Sequence, residues 1–383
     1  MENKNKSKSS KINLSQLVLL GLGSLIGSGW LFGAWEASSI AGPAAIISWI
    51  IGFIVIGTIA YNYIEIGTMF PQSGGMSNYA QYTHGSLLGF IAAWANWVSL
   101  VTIIPIEAVS AVQYMSSWPW EWAKPMGALM KDGSISTIGL FAVYVIIAIF
   151  SLLNYWSVKL LTSFTSLISV FKLGVPLLTI IMLMISGFDT NNYGHSASAF
   201  MPYGSAPIFA ATTTSGIIFS FNAFQTIINM GSEIKNPEKN IARGIAISLT
   251  LSAILYIVLQ STFITSMPSS MIHEHGWNGI NFNSPFADMA ILLGINWLAI
   301  LLYVEAVVSP FGTGVSFVAV TGRVLRAMEK NGHIPKFLGK MNEQYNIPRV
   351  AIAFNAIISM IMVTLFRDWG TLAAVISLSL IHI

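Results

Sequence analysis

The sequence predicts an all-α integral membrane protein of about ten spanning helices, on three observations: composition, charge-free runs and the placement of its basic residues. Hydrophobic residues make up 54% of the 383-residue chain and charged residues 9%, against about 25% charged in ordinary soluble domains. So few charges do not cover the surface of a soluble protein of this size, and lipid is the solvent that such a surface fits. Residues 12–35, 37–64, 133–158, 190–232 and 244–273 contain no Asp, Glu, Lys or Arg. Each run reaches or exceeds the roughly 20 residues that cross a bilayer core as a helix. A closed barrel also satisfies its backbone in lipid, but its strands alternate in polarity, and these runs do not.

The spans fall at about 14–41, 44–70, 86–117, 135–155, 160–186, 207–230, 244–266, 295–324, 349–366 and from about 370 onward. With the N-terminus inside, inner segments hold Lys4, Lys6, Lys8, Lys11, Lys159, Lys235, Lys239, Arg243, Arg323, Arg326, Lys330, Lys336, Lys340 and Arg349. Outer segments hold only Lys124, Lys131 and Arg367. This asymmetry obeys the positive-inside rule and predicts a multi-pass protein of a bacterial cytoplasmic membrane with a cytoplasmic N-terminus. Trp118, Trp120 and Trp122 fall at an outer boundary, where indoles anchor. Residues 1–13 form a basic cytoplasmic tail. The apolar stretch from Leu14 to Ala34 outruns the core of a signal peptide, so it predicts an uncleaved first helix. The last span has about fourteen residues, roughly two thirds of a bilayer core at 1.5 Å each, which points to a C-terminally truncated chain.

Two spans carry interruptions. The first contains GLGSLIGSGWLFG, whose glycines favour an unwound segment or, equally, close packing through small residues. The sixth contains TTTSGIIFSFNAFQTIINMGSEI, where Ser220, Asn222 and Gln225 interrupt an apolar run. It holds in the second five spans the place that span one holds in the first. Paired interruptions at corresponding places point to an inverted-repeat binding site, with repeats at about 14–186 and 207–383. Unwinding frees N–H groups that suit a carboxylate and carbonyls that suit an ammonium, and the two together match an α-amino acid.

GSLIGSGWLFG, AGPAAIISW and FPQSGGMSNYAQY, in that order, resemble the opening of the amino acid–polyamine–organocation family. GSEIKNPEKNIARGI and VVSPFGTGVSF…TGRVLRAMEKNGHIPK look like the family's later signatures. LNYWSVK and SVFKLGVPLL look closest to the aspartate–proton symporter branch. The resemblance runs from about Leu14 to Ser379. It implies a LeuT-like five-plus-five inverted-repeat bundle with broken helices 1 and 6, in a family whose members usually have twelve helices. Helices eleven and twelve and part of ten are then missing here. It also implies secondary active transport of an amino acid by proton symport, with exchange, or a non-transporting sensor or fragment, as alternatives.

Transferred residue by residue, the resemblance places unwinding at Ser24 to Gly29, through Ile26, Gly27 and Ser28, and again at Phe219 to Ala223. Ser28 and Gly29 N–H groups would hold the substrate carboxylate, and the Ile26, Phe219 and Ser220 carbonyls its ammonium. Phe221 and Asn222 would face the side chain.

Glu36, Glu65, Glu107, Lys172 and Glu305 fall within predicted spans, where a charge costs at least a few kcal/mol. Glu36 and Glu65 lie toward span ends, where solvent access or pairing at the inner gate accounts for them. Glu107 and Glu305 lie deeper and are either carboxylic acids bonded within the bundle or proton carriers. Lys172 is either a lysine snorkelling to the inner face or, as the resemblance implies, a group that stands where sodium-coupled relatives bind sodium.

The absence of cysteine excludes disulfides and thiol chemistry. No G-x-x-x-x-G-K-[ST] occurs, which disfavours an ATP-driven pump. No residues gather at catalytic or metal spacing, and His273-Glu274-His275 lacks a third ligand spaced for zinc and is expected in a solvated outer loop. The expected partners are an amino acid, protons and lipid, with no cofactor, no metal and no nucleic acid. Pro237 is expected to stop span six.

Overall fold

The computed structural model describes residues 11–72, 74–156, 158–342 and 347–381. Most of the basic tail, residues 1–10, lies outside them. The chain opens with α1 (Leu14–Leu25), α2 (Gly29–Ala41) and α3 (Ala45–Met69). Asn13 caps α1: its side chain accepts from the Gln16 N–H while Gln16 returns the bond, which satisfies two of the first-turn donors. Next come α4 (Met76–Val101), α5 (Ile103–Met115), α6 (Thr137–Trp156), α7 (Val158–Gly187) and the short α8 (Ala197–Phe200). The interrupted stretch is α9 (Ala206–Thr214), α10 (Ile217–Phe221) and α11 (Gln225–Asn229). Then follow α12 (Pro237–Ser266), α13 (Ser269–Gly279), α14 (Pro285–Leu292), α15 (Asn296–Lys330), α16 (Arg349–Leu365) and α17 (Trp369–Ile381).

Among the described residues, five stretches are long and apolar enough to cross a membrane: Gly29–Met69, Met76–Met115, Thr137–Tyr155, Pro237–Ser266 and Asn296–Lys330. The first two have 41 and 40 residues, on the order of 60 Å if straight, twice a bilayer core. Each is bent instead, at Gly42 (φ 63°) and at Gly85 (φ 78°). The α16 and α17 pair qualifies jointly and is bent by 120°.

Outward faces are apolar, as lipid contact demands. Ile138, Phe141, Val145, Ile149 and Leu152 form an exposed stripe on α6, and Leu177, Ile181 and Ile185 one on α7. Their i, i+3, i+4 spacing keeps each stripe on one face. The inward faces carry polar side chains instead, because helix association in lipid rests on packing and interhelical bonds. Gln260 of α12 donates to Ser38 Oγ at 2.8 Å and accepts from Trp49 Nε1 at 2.8 Å, tying α2 to α3. Trp97 Nε1 donates to Asn355 Oδ1 at 2.9 Å, joining α4 to α16.

The loops pair in two sets. Ile12 exchanges backbone bonds of 2.9 Å with Glu233 and Lys235. Elsewhere Ile135 N–H donates to Arg367 O at 2.9 Å and Trp35 Nε1 to Ile280 O at 2.9 Å.

Several boundaries differ from the sequence reading. Residues 76–84, expected in a loop, begin α4 ahead of the Gly85 bend. Pro237 starts α12 and does not stop span six: it sits at the first helical position, where its missing N–H is no loss. His273, Glu274 and His275 lie in α13 and not in an irregular loop. A hairpin, β1 (Met130–Lys131) and β2 (Ser134–Ile135), turns at Asp132-Gly133, both with positive φ.

Candidate functional site

The first interruption lies at residues 26–28. Ile26 leaves helical geometry at φ −85°, ψ 84°, and helix resumes at Gly29. The first N–H groups of a helix have no intrahelical partner and carry its positive dipole end. Here the Ser28 N–H donates to both carboxylate oxygens of Glu107, at 3.1 and 3.0 Å. Ser28 and Glu107 are fully buried, and a low local dielectric strengthens a hydrogen bond of this kind.

The second interruption lies elsewhere than expected. Phe219 to Phe221 are helical, Asn222 to Phe224 form a 3-10 turn, and the break falls at Ser215-Gly216. Gly216 is left-handed at φ 80°, a conformation that only a residue without a Cβ adopts freely. Asn222 and Gln225 do not unwind the chain: Asn222 Nδ2 donates to Ser99 Oγ, and Gln225 Nε2 donates to Asn222 Oδ1 within the same stretch. Phe219 O accordingly accepts from the Asn222 N–H.

The two interrupted stretches touch at Gly29 and Ser220. A Cβ at Gly29 would overlap Ser220 Oγ while standing 3.4 Å from its Cα, so a side chain there would have to displace the Ser220 hydroxyl. Neighbouring helices bind the carbonyls around the breaks. Tyr256 Oη of α12 donates to Leu25 O at 2.8 Å and reaches Ser220 O at 3.4 Å. Ser309 Oγ of α15 reaches Ile26 O at 3.5 Å. Trp369, at the start of α17, donates from Nε1 to Ser28 Oγ at 2.9 Å. Its ring stacks on Phe32 with centroids 5.0 Å apart and meets Phe219 edge-on at 5.9 Å.

Of the other expected residues, Ser24 is half-buried in the last turn of α1, and Gly27 lies beside Glu107 and Thr313. Phe221 packs edge-on to Trp49 and Tyr256, and Ala223 is buried. Lys172 is buried, so it does not snorkel. Its Nζ donates to Gly23 O at 2.7 Å and to Thr313 Oγ1 at 2.5 Å, pinning α7 to α1 and α15. Glu305, Ser309 and Thr313 are buried on α15 at successive i, i+4 positions, one column facing the first break. Glu65 is exposed near the end of α3, and Glu36 stands beside Asp368 across Gly370.

Sequence reasoning missed Trp369, Ser99 and Tyr256. A tryptophan near a span end is read as an interfacial anchor, and a serine or tyrosine inside a span carries no signal of what it faces. Among the described residues, no group of three His, Asp or Glu is gathered to hold a metal.

Interrupted helices inside a bundle whose outward faces are apolar mark a polytopic membrane protein. The chain belongs to the amino acid permease family, whose model matches residues 12–382. The glutamate/serine transporter AimA of Bacillus subtilis (strain 168) is 52% identical over 363 residues, covering 95% of this chain and 67% of that protein. The aspartate-proton symporter of the same organism is 35% identical over 374 residues, covering 97% and 70%. Its methylthioribose transporter is 26% identical over 395 residues, covering 99% and 82%.

Proposed function

We propose that this protein is a secondary active carrier that moves an amino acid and a proton together across a bacterial cytoplasmic membrane. One observation carries the reading: Glu107 places a carboxylate on the Ser28 N–H, at the helix end best suited to a substrate's carboxylate. A charged Glu107 occupies that seat and repels a second carboxylate. A proton on Glu107 removes the charge and weakens its bond to Ser28, so the N–H turns to the substrate. Proton and amino acid therefore arrive together. The carbonyls near Ile26 and Ser220 then accept the ammonium, and Gly29 permits the close approach.

Lys172 completes the coupling. Thr313 Oγ1 takes its ammonium at 2.5 Å and would stand 3.3 Å from a Cβ on Gly27, beside Glu107. A cation there holds α7 against α1 and α15 in the closed arrangement. Glu305, two turns along α15 from Thr313, is the next carboxyl group available to a proton.

Ten spans in two inverted repeats of five, with the N-terminus inside, fit the loop pairing. Residue 12 and its partners 233 and 235 are all internal in that order, and 135 and its partner 367 are both external. The relatives' names supply the substrate class: glutamate, serine and aspartate.

Counterflow in proteoliposomes tests the function. Vesicles preloaded with unlabelled serine or glutamate should accumulate the labelled amino acid, and an alkaline interior alone should drive net uptake. Absence of counterflow for serine, glutamate and aspartate alike would defeat the carrier reading. Counterflow without gradient-driven uptake would leave exchange.

A further inference from the structure

Two residues past Ser220 begins a chain of side chains that the proposed seats for carboxylate and ammonium do not use. Asn222 Nδ2 donates to Ser99 Oγ at 2.7 Å, and Gln225 Nε2 donates to Asn222 Oδ1. Ser99, Asn222 and Gln225 are each 0% exposed, yet Gln225 Oε1 has no partner. One turn before Ser99, Asn96 repeats the pattern: Nδ2 donates to Ser77 Oγ at 3.2 Å, and the buried Oδ1 is unpaired. A buried acceptor left unsatisfied costs about 1–3 kcal/mol. Such a group persists where a ligand or water completes it.

The chain has two directions. An amide's oxygen and nitrogen occupy nearly the same space, and a hydroxyl rotates. In the opposite sense, Ser99 Oγ donates to Asn222 Oδ1, Asn222 Nδ2 donates to Gln225 Oε1, and Gln225 Nε2 becomes the free end. Both internal bonds survive the reversal. Only the character of the free end changes, from acceptor to donor.

We propose that Ser99, Asn222 and Gln225 form a reversible amide relay that reads the substrate side chain, so that one site takes both a hydroxyl and a carboxylate. The proposal rests on the amino-acid carrier reading above. A serine-like hydroxyl donates to the Gln225 carbonyl. A glutamate-like carboxylate accepts only, and it meets the Gln225 N–H after reversal. A fixed acceptor would reject the carboxylate, because a site built for one hydrogen-bonding pattern discriminates strongly against its opposite.

Two variants freeze the relay. Gln225→Glu makes the free end an acceptor in either direction. Asn222→Asp accepts from both neighbours, so it holds the Gln225 N–H inward and its carbonyl at the free end without a charge there. Binding of labelled serine to the purified full chain is measured with serine and glutamate as competitors, after thermal melting confirms a folded protein. In both variants glutamate should lose at least about tenfold more affinity than serine. A glutamate-to-serine ratio within about twofold of the wild type in both would overturn the relay, as would a parallel loss of both ligands in folded protein. Wild-type protein that shows no counterflow with serine, glutamate or aspartate overturns the carrier reading itself, a result separate from any change in the ratio.

Discussion

At the scale of single residues, the site turns on which group holds the Ser28 N–H. If Glu107 competes with the substrate for it, protonation must favour binding, so affinity should rise as pH falls. Glu107→Gln removes the titrating charge and should leave affinity flat between about pH 5 and 8, while the wild type tightens toward the acid end. Binding isotherms across that range check it, and a variant that keeps the wild-type slope moves the coupling away from Glu107. Lys172 makes a different prediction. Its ammonium bridges Gly23 O and Thr313 Oγ1, so Lys172→Gln should keep a folded protein but lose the response to a pH gradient. Initial uptake should then match the rate measured without a gradient. Uptake that still follows the gradient would leave Glu305 as the next candidate.

At the scale of elements, the helices that resume after the two breaks pack against each other. Gly29 begins α2 where Ser220 of α10 comes closest. Gly29→Val would drive a branched side chain into that contact, and it should abolish substrate binding while membrane insertion and expression stay normal. Saturable binding by this variant would remove the α2 end from the site. The position of the second break was only half legible. A polar cluster in an apolar run marked the right helix, but Asn222 bonds to Ser99 and Gln225 to Asn222, and a 3-10 turn carries the chain past them without unwinding. The left-handed Gly216, with the Trp369 ring in the place of a side chain, makes the actual break.

At the scale of the whole molecule, the loop pairs divide the protein into two ends. A cavity of about 790 Å³ opens at the end that carries Gln72, Glu233, Arg323, Arg326 and Lys330. In the proposed orientation this end is cytoplasmic. The Asp132-Gly133 hairpin and the start of α17 then lie outside. Lys131→Cys should react with an impermeant maleimide on intact cells, and Lys330→Cys only after permeabilisation. The opposite pattern would invert the bundle and reassign every basic loop.

The sequence by itself determined the solvent, the helical class and the two helices that carry the breaks, because each depends on local composition. Charge-free runs demand lipid, lipid demands satisfied backbone groups, and glycine-rich stretches weaken a helix wherever it packs. It also marked Glu107, Lys172 and Glu305, since any charge in a span is conspicuous. Only the tertiary structure decided what those groups touch. Residues 28 and 107, 99 and 222, and 28 and 369 are bonded across long separations in the chain. Trp369 and Ser99 carry no local mark of a site, because their meaning lies in the helix opposite, and which helix stands opposite is settled by packing alone.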